Sequence, residues 1–184
     1  MIYKRIRASF ADAKKDFYRN LYVRPDVTLE ELGLILCSAL STEFAHTFFF
    51  TEKGNMIDGQ AMKETLLSDM GRKFAFVYDP GEDWEFSITV SPSEYELDET
   101  AKALFIGGKG QGVWEDNKIS LLKYLAGEIN PDSKRSSEKK GYSLPWNFSY
   151  APYGFFSCPL DKKAEKKALG DFVGKYLEPI KEKM

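Results

Sequence analysis

Four carboxylates stand within seven residues, Asp79, Glu82, Asp83 and Glu85, arranged around Pro80-Gly81 with Trp84 among them. A second acidic pair, Glu115-Asp116, comes further along the chain. Oxygen-rich clusters of this kind hold hard divalent cations such as Mg²⁺, Ca²⁺ or Mn²⁺, or divide the roles of proton donor and acceptor. The same residues also make an ordinary solvated turn, and a Glu-Asp pair suits a helix start, where it meets the positive end of the dipole. The single histidine, His46, can act as base or ligand, or simply begin a strand. The candidate binding residues are therefore His46, Asp79, Glu82, Asp83, Trp84, Glu85, Glu115 and Asp116. No catalytic set stands out among them. No motif requires a cofactor, and a divalent cation is left open.

Other chemistries fail on spacing. Gly107-Gly108-Lys109-Gly110-Gln111-Gly112 resembles a phosphate loop only in its glycines, because no Ser or Thr follows Lys109. It reads as a permissive turn. No nucleophile elbow, zinc-protease helix or paired Cys-x-x-Cys is present. Cys37 and Cys158 lie far apart in apolar settings; a disulfide between them is the alternative to buried free thiols, and the free-thiol reading, the one adopted, points to the cytoplasm. The N-terminal residues alternate charged and apolar types, unlike a secretory signal. No apolar run approaches the roughly 18 residues of a membrane span.

The net charge of −2 conceals an asymmetry. Residues 1–133 carry 15 basic and 22 acidic side chains, whereas residues 134–184 carry 11 and 6. A basic C-terminal third can attract an anionic partner or form a solvated helix face.

The elements that must position these residues follow from hydrophobic period. Ile2 to Phe10 and Phe17 to Val23 alternate, which predicts two antiparallel strands joined by a polar turn at 12–16. Thr28 and Glu31 form a capping box ahead of Leu29, Leu32, Leu36 and Leu40, predicting a helix over 28–41. A third strand follows from His46 to Thr51, then a short helix over 61–69. Phe74, Phe76 and Tyr78 share one strand face, and Trp84, Phe86 and Ile88 share another. For these to lie together, 78 must face 84, 76 face 86 and 74 face 88, leaving 79–83 as a five-residue loop with positive φ at Gly81. A helix starting near 115–117 would carry Ile119, Leu122 and Leu125 inward. The last helix, from about Asp161, sets Leu169, Phe172, Val173 and Leu177 on one face.

Strands in runs, without strict βα alternation, predict an α+β fold. The expected form is a β-grasp-like sheet, β-β-α-β followed by a β-hairpin, packed on a helix, with additional C-terminal helices. With 43% hydrophobic residues the chain can fill one core. Residues 1–127 form that core domain, 128–143 a flexible loop, and 144–184 an aromatic segment and helix packed on the same domain.

Together these residues resemble the plasmid pRiA4b open-reading-frame-three-like family, from about residue 3 to 127. The resemblance rests on Arg19 and the run Val23 to Leu32, then His46 before an aromatic strand. Tyr78 to Glu85 is its most specific block, and Gly108-Lys109-Gly110 with Glu115-Asp116 completes it. Phe86 stands where the family pattern carries a histidine, and Gly33 where the first helix carries another. The resemblance thus supplies no histidine- or cysteine-rich metal set. It implies an association with plasmids and transposable elements and no settled activity. The function expected is a non-enzymatic binding or interaction domain linked to mobile genetic elements, with a protein partner or small ligand. The alternatives are a carboxylate-dependent metal enzyme acting on nucleic acid or phosphate esters, and a DNA-binding accessory protein. Nucleic acid is not the expected partner, because the acidic body opposes a polyanion.

Overall fold

The computed structural model describes residues 1–110, 112–128 and 162–178. The expected flexible loop and aromatic segment, including Cys158, lie outside the described residues except at residue 128.

The chain enters its sheet in the middle. Strand β1 (Ile2–Phe10) pairs antiparallel with β2 (Tyr18–Val23) on one side, as the hairpin reading required. Helix α1 (Leu29–Ala39) follows, then a hairpin of β3 (Phe48–Glu52) and β4 (Asn55–Ile57), and a short helix α2 (Gly59–Glu64). Strands β5 (Lys73–Tyr78), β6 (Trp84–Glu96) and β7 (Ala103–Lys109) complete the sheet in the order β4-β3-β5-β6-β1-β2-β7. Every pairing is antiparallel. Helices α3 (Lys118–Leu125) and α4 (Lys162–Tyr176) come last. The α+β class holds, with the sheet extended beyond β-β-α-β by β4 and β7.

The hairpin register follows from side-chain size. Tyr78 faces Trp84, Phe76 faces Phe86 and Phe74 faces Ile88. All six lie on the core side and all are buried. Slipping one residue would turn every one of these groups to the other face. Leu29, Leu32, Ile35 and Leu36 of α1 fill the space above them, and Leu169 and Val173 of α4 belong to the same core.

Two devices fix where α1 begins and ends. Glu31 N–H donates to Thr28 Oγ1 at 3.2 Å, and Thr28 N–H donates to Glu31 Oε2 at 3.1 Å, a complete capping box. At the other end the wholly buried Arg19 guanidinium donates to the carbonyls of Ala39 and Lys109, at 2.7 and 2.8 Å. Arg19 therefore ties the helix terminus to β7. Burial lowers its pKa to about 10.

Several local expectations need correction. The third strand starts at Phe48, leaving His46 in the preceding loop. The expected helix at 61–69 is shorter and shifted, α2 followed by a single turn at Leu67–Asp69. Strand β7 runs on through Gly107, Gly108 and Lys109, so half of the glycine segment is strand, with a bulge opposite Asn20/Leu21. The positive φ of the 79–83 loop falls on Asp79 and Asp83 and not on Gly81. Asp tolerates that region because its short side chain hydrogen-bonds locally. Gly81 instead lets its N–H reach Asp79 Oδ1 at 3.1 Å. Ile119 points outward, because α3 begins at Lys118 and buries Ser120 and Leu121.

Candidate metal centre

Three segments converge beyond the C-terminal end of β5. Val113 N–H donates to Leu40 O at 3.0 Å, joining the segment before α3 to the end of α1. Asp79 N–H donates to Thr47 O at 3.0 Å, joining the hairpin loop to the residues after α1. His46, Asp79, Glu115 and Asp116 meet there, although they are spread over 71 positions of sequence.

The imidazole lies between carboxylates on both sides. Its Nδ1 is 3.7 Å from Asp79 Oδ1, and its Nε2 is 3.4 Å from Asp116 Oδ1 and 3.6 Å from Glu115 Oε2. The ring stands edge-on to Tyr78 with centroids 5.8 Å apart. One ligand atom each from His46, Asp79 and Asp116 lies within 4.8 Å of the others. Two atoms bonded to one tetrahedral ion at about 2.0–2.2 Å stand about 3.3–3.6 Å apart. The two distances from Nε2, to Asp116 and Glu115, fall within that range; Asp79 faces Nδ1, the nitrogen that an ion held at Nε2 leaves free.

The carboxylates differ in how their charge is met. Glu115 is fully buried, and its Oε1 accepts from the Glu43 N–H at 2.8 Å and the Tyr78 hydroxyl at 2.9 Å. Its Oε2 is buried with no hydrogen-bond partner. Asp79 is also buried. Its Oδ1 accepts from Gly81, and its Oδ2 again has no partner. Burial raises the Glu115 pKa, and Asp116 adds to the rise. The Glu43 N–H, the Tyr78 hydroxyl and His46 oppose it. Burial also raises the Tyr78 pKa, aided by the hydrogen bond to Glu115. Two buried carboxylates beside one imidazole, each with one oxygen lacking a donor, form an arrangement that costs free energy unless a cation satisfies it.

The backbone here is held in unusual conformations. Asp79, Asp116, Ser41 and Phe44 all have φ between 48° and 58°. Non-glycine residues in this region concentrate at functional sites, where surrounding structure over-determines them.

The other four sequence candidates go elsewhere. Trp84 is wholly buried, its ring 5.2 Å from Phe10, and serves the core. Glu82 accepts from Lys118 N–H at 3.0 Å, which makes it the cap of α3. That role had been expected of Glu115-Asp116. Asp83 is exposed, and its carbonyl accepts from Lys118 Nζ at 2.6 Å. Glu85 points to the opposite sheet face from Trp84. Sequence reasoning missed Tyr78 as a site residue. Its place one residue before Asp79 was the available signal, obscured by its membership of the apolar strand face.

Among the described residues no helix is long and apolar enough to cross a membrane. The fold is similar to the crystal structure of MM3350, a protein of unknown function from Methanosarcina mazei Go1. The two share 17% identity with a TM-score of 0.63, over 75% of this chain and 86% of that one. No curated protein matches. The sequence model of one family covers residues 3–143, extending past the point where the resemblance in the sequence had been expected to end. The chain belongs to the plasmid pRiA4b ORF-3-like protein family.

Proposed function

We propose that this protein is a binding domain whose functional centre takes a divalent transition cation through His46, Asp79 and Asp116, with Glu115 as the fourth group. The observation that carries the reading is the convergence on one imidazole of two buried carboxylates, each keeping one unpartnered oxygen: Glu115 Oε2, which itself faces the ring, and Asp79 Oδ2, whose Oδ1 faces it. A mixed nitrogen and oxygen donor set favours Mn²⁺ or Zn²⁺ over the all-oxygen ions Mg²⁺ and Ca²⁺. Asp116 is exposed and His46 part-exposed, which gives the ion an entry path. The Tyr78 hydroxyl and Glu43 N–H orient Glu115 from behind, as supporting partners do in metal sites.

The role is binding, within a family of unknown function. A cytoplasmic location belongs to this reading, supported by Cys37 as a free, buried thiol. So does a core of residues 1–127 with the C-terminal helix packed on it, supported by Leu169 and Val173 in the common core.

Thermal melts after EDTA treatment, then with Mn²⁺, Zn²⁺, Mg²⁺ and Ca²⁺ in turn, test the proposal. A ligand held by the native state alone stabilises by about 2.7 kcal/mol at a hundredfold excess over Kd. Mn²⁺ or Zn²⁺ should raise Tm, and an Asp79→Asn/Asp116→Asn variant should lose the rise. Absence of any shift in the unmodified protein would leave His46 as a bridge between carboxylates and remove the metal.

A further inference from the structure

The sheet face turned away from α1 carries a groove of about 560 Å³, at the end of the β5–β6 hairpin remote from the Asp79 loop. Arg7, Lys14, Lys15 and Lys73 line it, and no carboxylate does. Ser9, Ser87 and Thr89 supply hydroxyls between the cations. The register explains the assembly. Arg7 and Lys73 both pair with Thr89, and Ser9 pairs with Ser87, so three adjacent strands present these groups side by side. They alternate with Ile6, Ala8, Phe10 and Phe86, which point into the core.

Arg7 is fixed in place. Its Nε donates to Ser9 Oγ at 3.1 Å, its Nη2 donates to Lys14 O at 3.4 Å, and its guanidinium stacks over Tyr18 with Cζ 3.6 Å from the ring centroid. Ser9 accepts that bond and keeps its own proton free to donate. Elsewhere Lys4, Lys63, Lys102, Lys109 and Lys118 each pair with a carboxylate. Among the described residues, the four cations of this groove make no ion pair. Like charges gathered without counter-charge repel one another. Here they gather on the part of the chain whose overall charge is negative.

We infer that this groove binds a phosphorylated small molecule of nucleotide size. Its volume falls within the range of small-molecule sites. A preorganised guanidinium with flanking ammonium and hydroxyl donors matches phosphate oxygens. The acidic remainder of residues 1–133 disfavours an extended polyanion and leaves a compact one, which needs only the local field.

The test uses the full chain in EDTA, so that the outcome is independent of the metal centre. ATP is titrated by calorimetry, with inorganic pyrophosphate as competitor. The comparison is between Lys14→Gln/Lys73→Gln and a control, Lys123→Gln/Lys166→Gln, that removes the same charge from exposed positions elsewhere. Saturable ATP binding, displaced by pyrophosphate, should weaken at least about tenfold in the first variant, as loss of two charge-assisted contacts implies. It should persist in the control. Far-ultraviolet circular dichroism confirms that both variants fold. Three results overturn the inference: no saturation, equal weakening in both variants, or a mixed-sequence single-stranded oligonucleotide that binds more tightly than ATP through the same lysines. The last would make the groove a nucleic-acid track.

Discussion

Replacing Asp79 with Asn should stabilise the metal-free protein while abolishing its response to metal. The Asn side chain is isosteric, and its oxygen can still accept from Gly81 N–H. Asn also tolerates the φ of 48° found at this position. What changes is the charge on a buried carboxylate whose Oδ2 has no donor. Leaving a buried polar group unsatisfied costs about 1–3 kcal/mol, and more when it is charged. Against this stands the lost attraction to His46, at 3.7 Å and partly exposed on the His46 side. Pairs of that kind contribute about 0–1 kcal/mol. The balance is a gain of about 1 kcal/mol in EDTA, or about 2–4 °C in Tm for a domain of this size. Urea denaturation in EDTA and in Mn²⁺ measures both effects. A loss of 1 kcal/mol or more without metal, or an undiminished shift with Mn²⁺, would refute the argument that Asp79 is held as an unsatisfied anion awaiting a cation.

Three further predictions concern the frame. Leu36 is fully buried in α1, so Leu36→Ala should cost about 2–5 kcal/mol in urea denaturation. Gly33 has no room for a side chain, since an added Cβ would meet the Phe48 ring at 2.1 Å. Gly33→Ala should therefore destabilise by about 1–3 kcal/mol despite the better helix former, and a Phe48→Leu background should recover most of the loss. Burial pushes the Cys37 thiol up to about 12. Because the folded value lies above the unfolded one, the stabilisation is complete below about pH 9 and is lost as pH rises toward 12. In a Cys158→Ser background, native protein at pH 8 should resist thiol reagents that label it rapidly once unfolded in urea.

The parts of the fold that were legible in the sequence are those where one residue decides between two outcomes. Thr28 and Glu31 announced α1 because the cap they form is local to four residues. The 74–78 and 84–88 pairing was legible because a slip of one residue would set Phe76 opposite Glu85 and split the apolar face. Strand β4 was not, since Asn55-Met56-Ile57 is short and exposed and gains its order from Phe50 and Thr51 across the hairpin. Helix α3 illustrates how site and fold compete for the same residues. Glu115-Asp116 is good helix-starting chemistry, and local propensity assigned it there. In the structure Glu115 is drawn under Tyr78 and Asp116 adopts a φ of 55°. The helix begins two residues later, with its cap supplied from 36 positions away by Glu82. A local preference gives way in this manner where a tertiary interaction outweighs it. The displacement of Ile119 to the surface is the visible consequence. The same segment that misleads a local reading of α3 thus supplies two of the four groups around the imidazole, and the departure from propensity marks where contacts distant in sequence override the local preference.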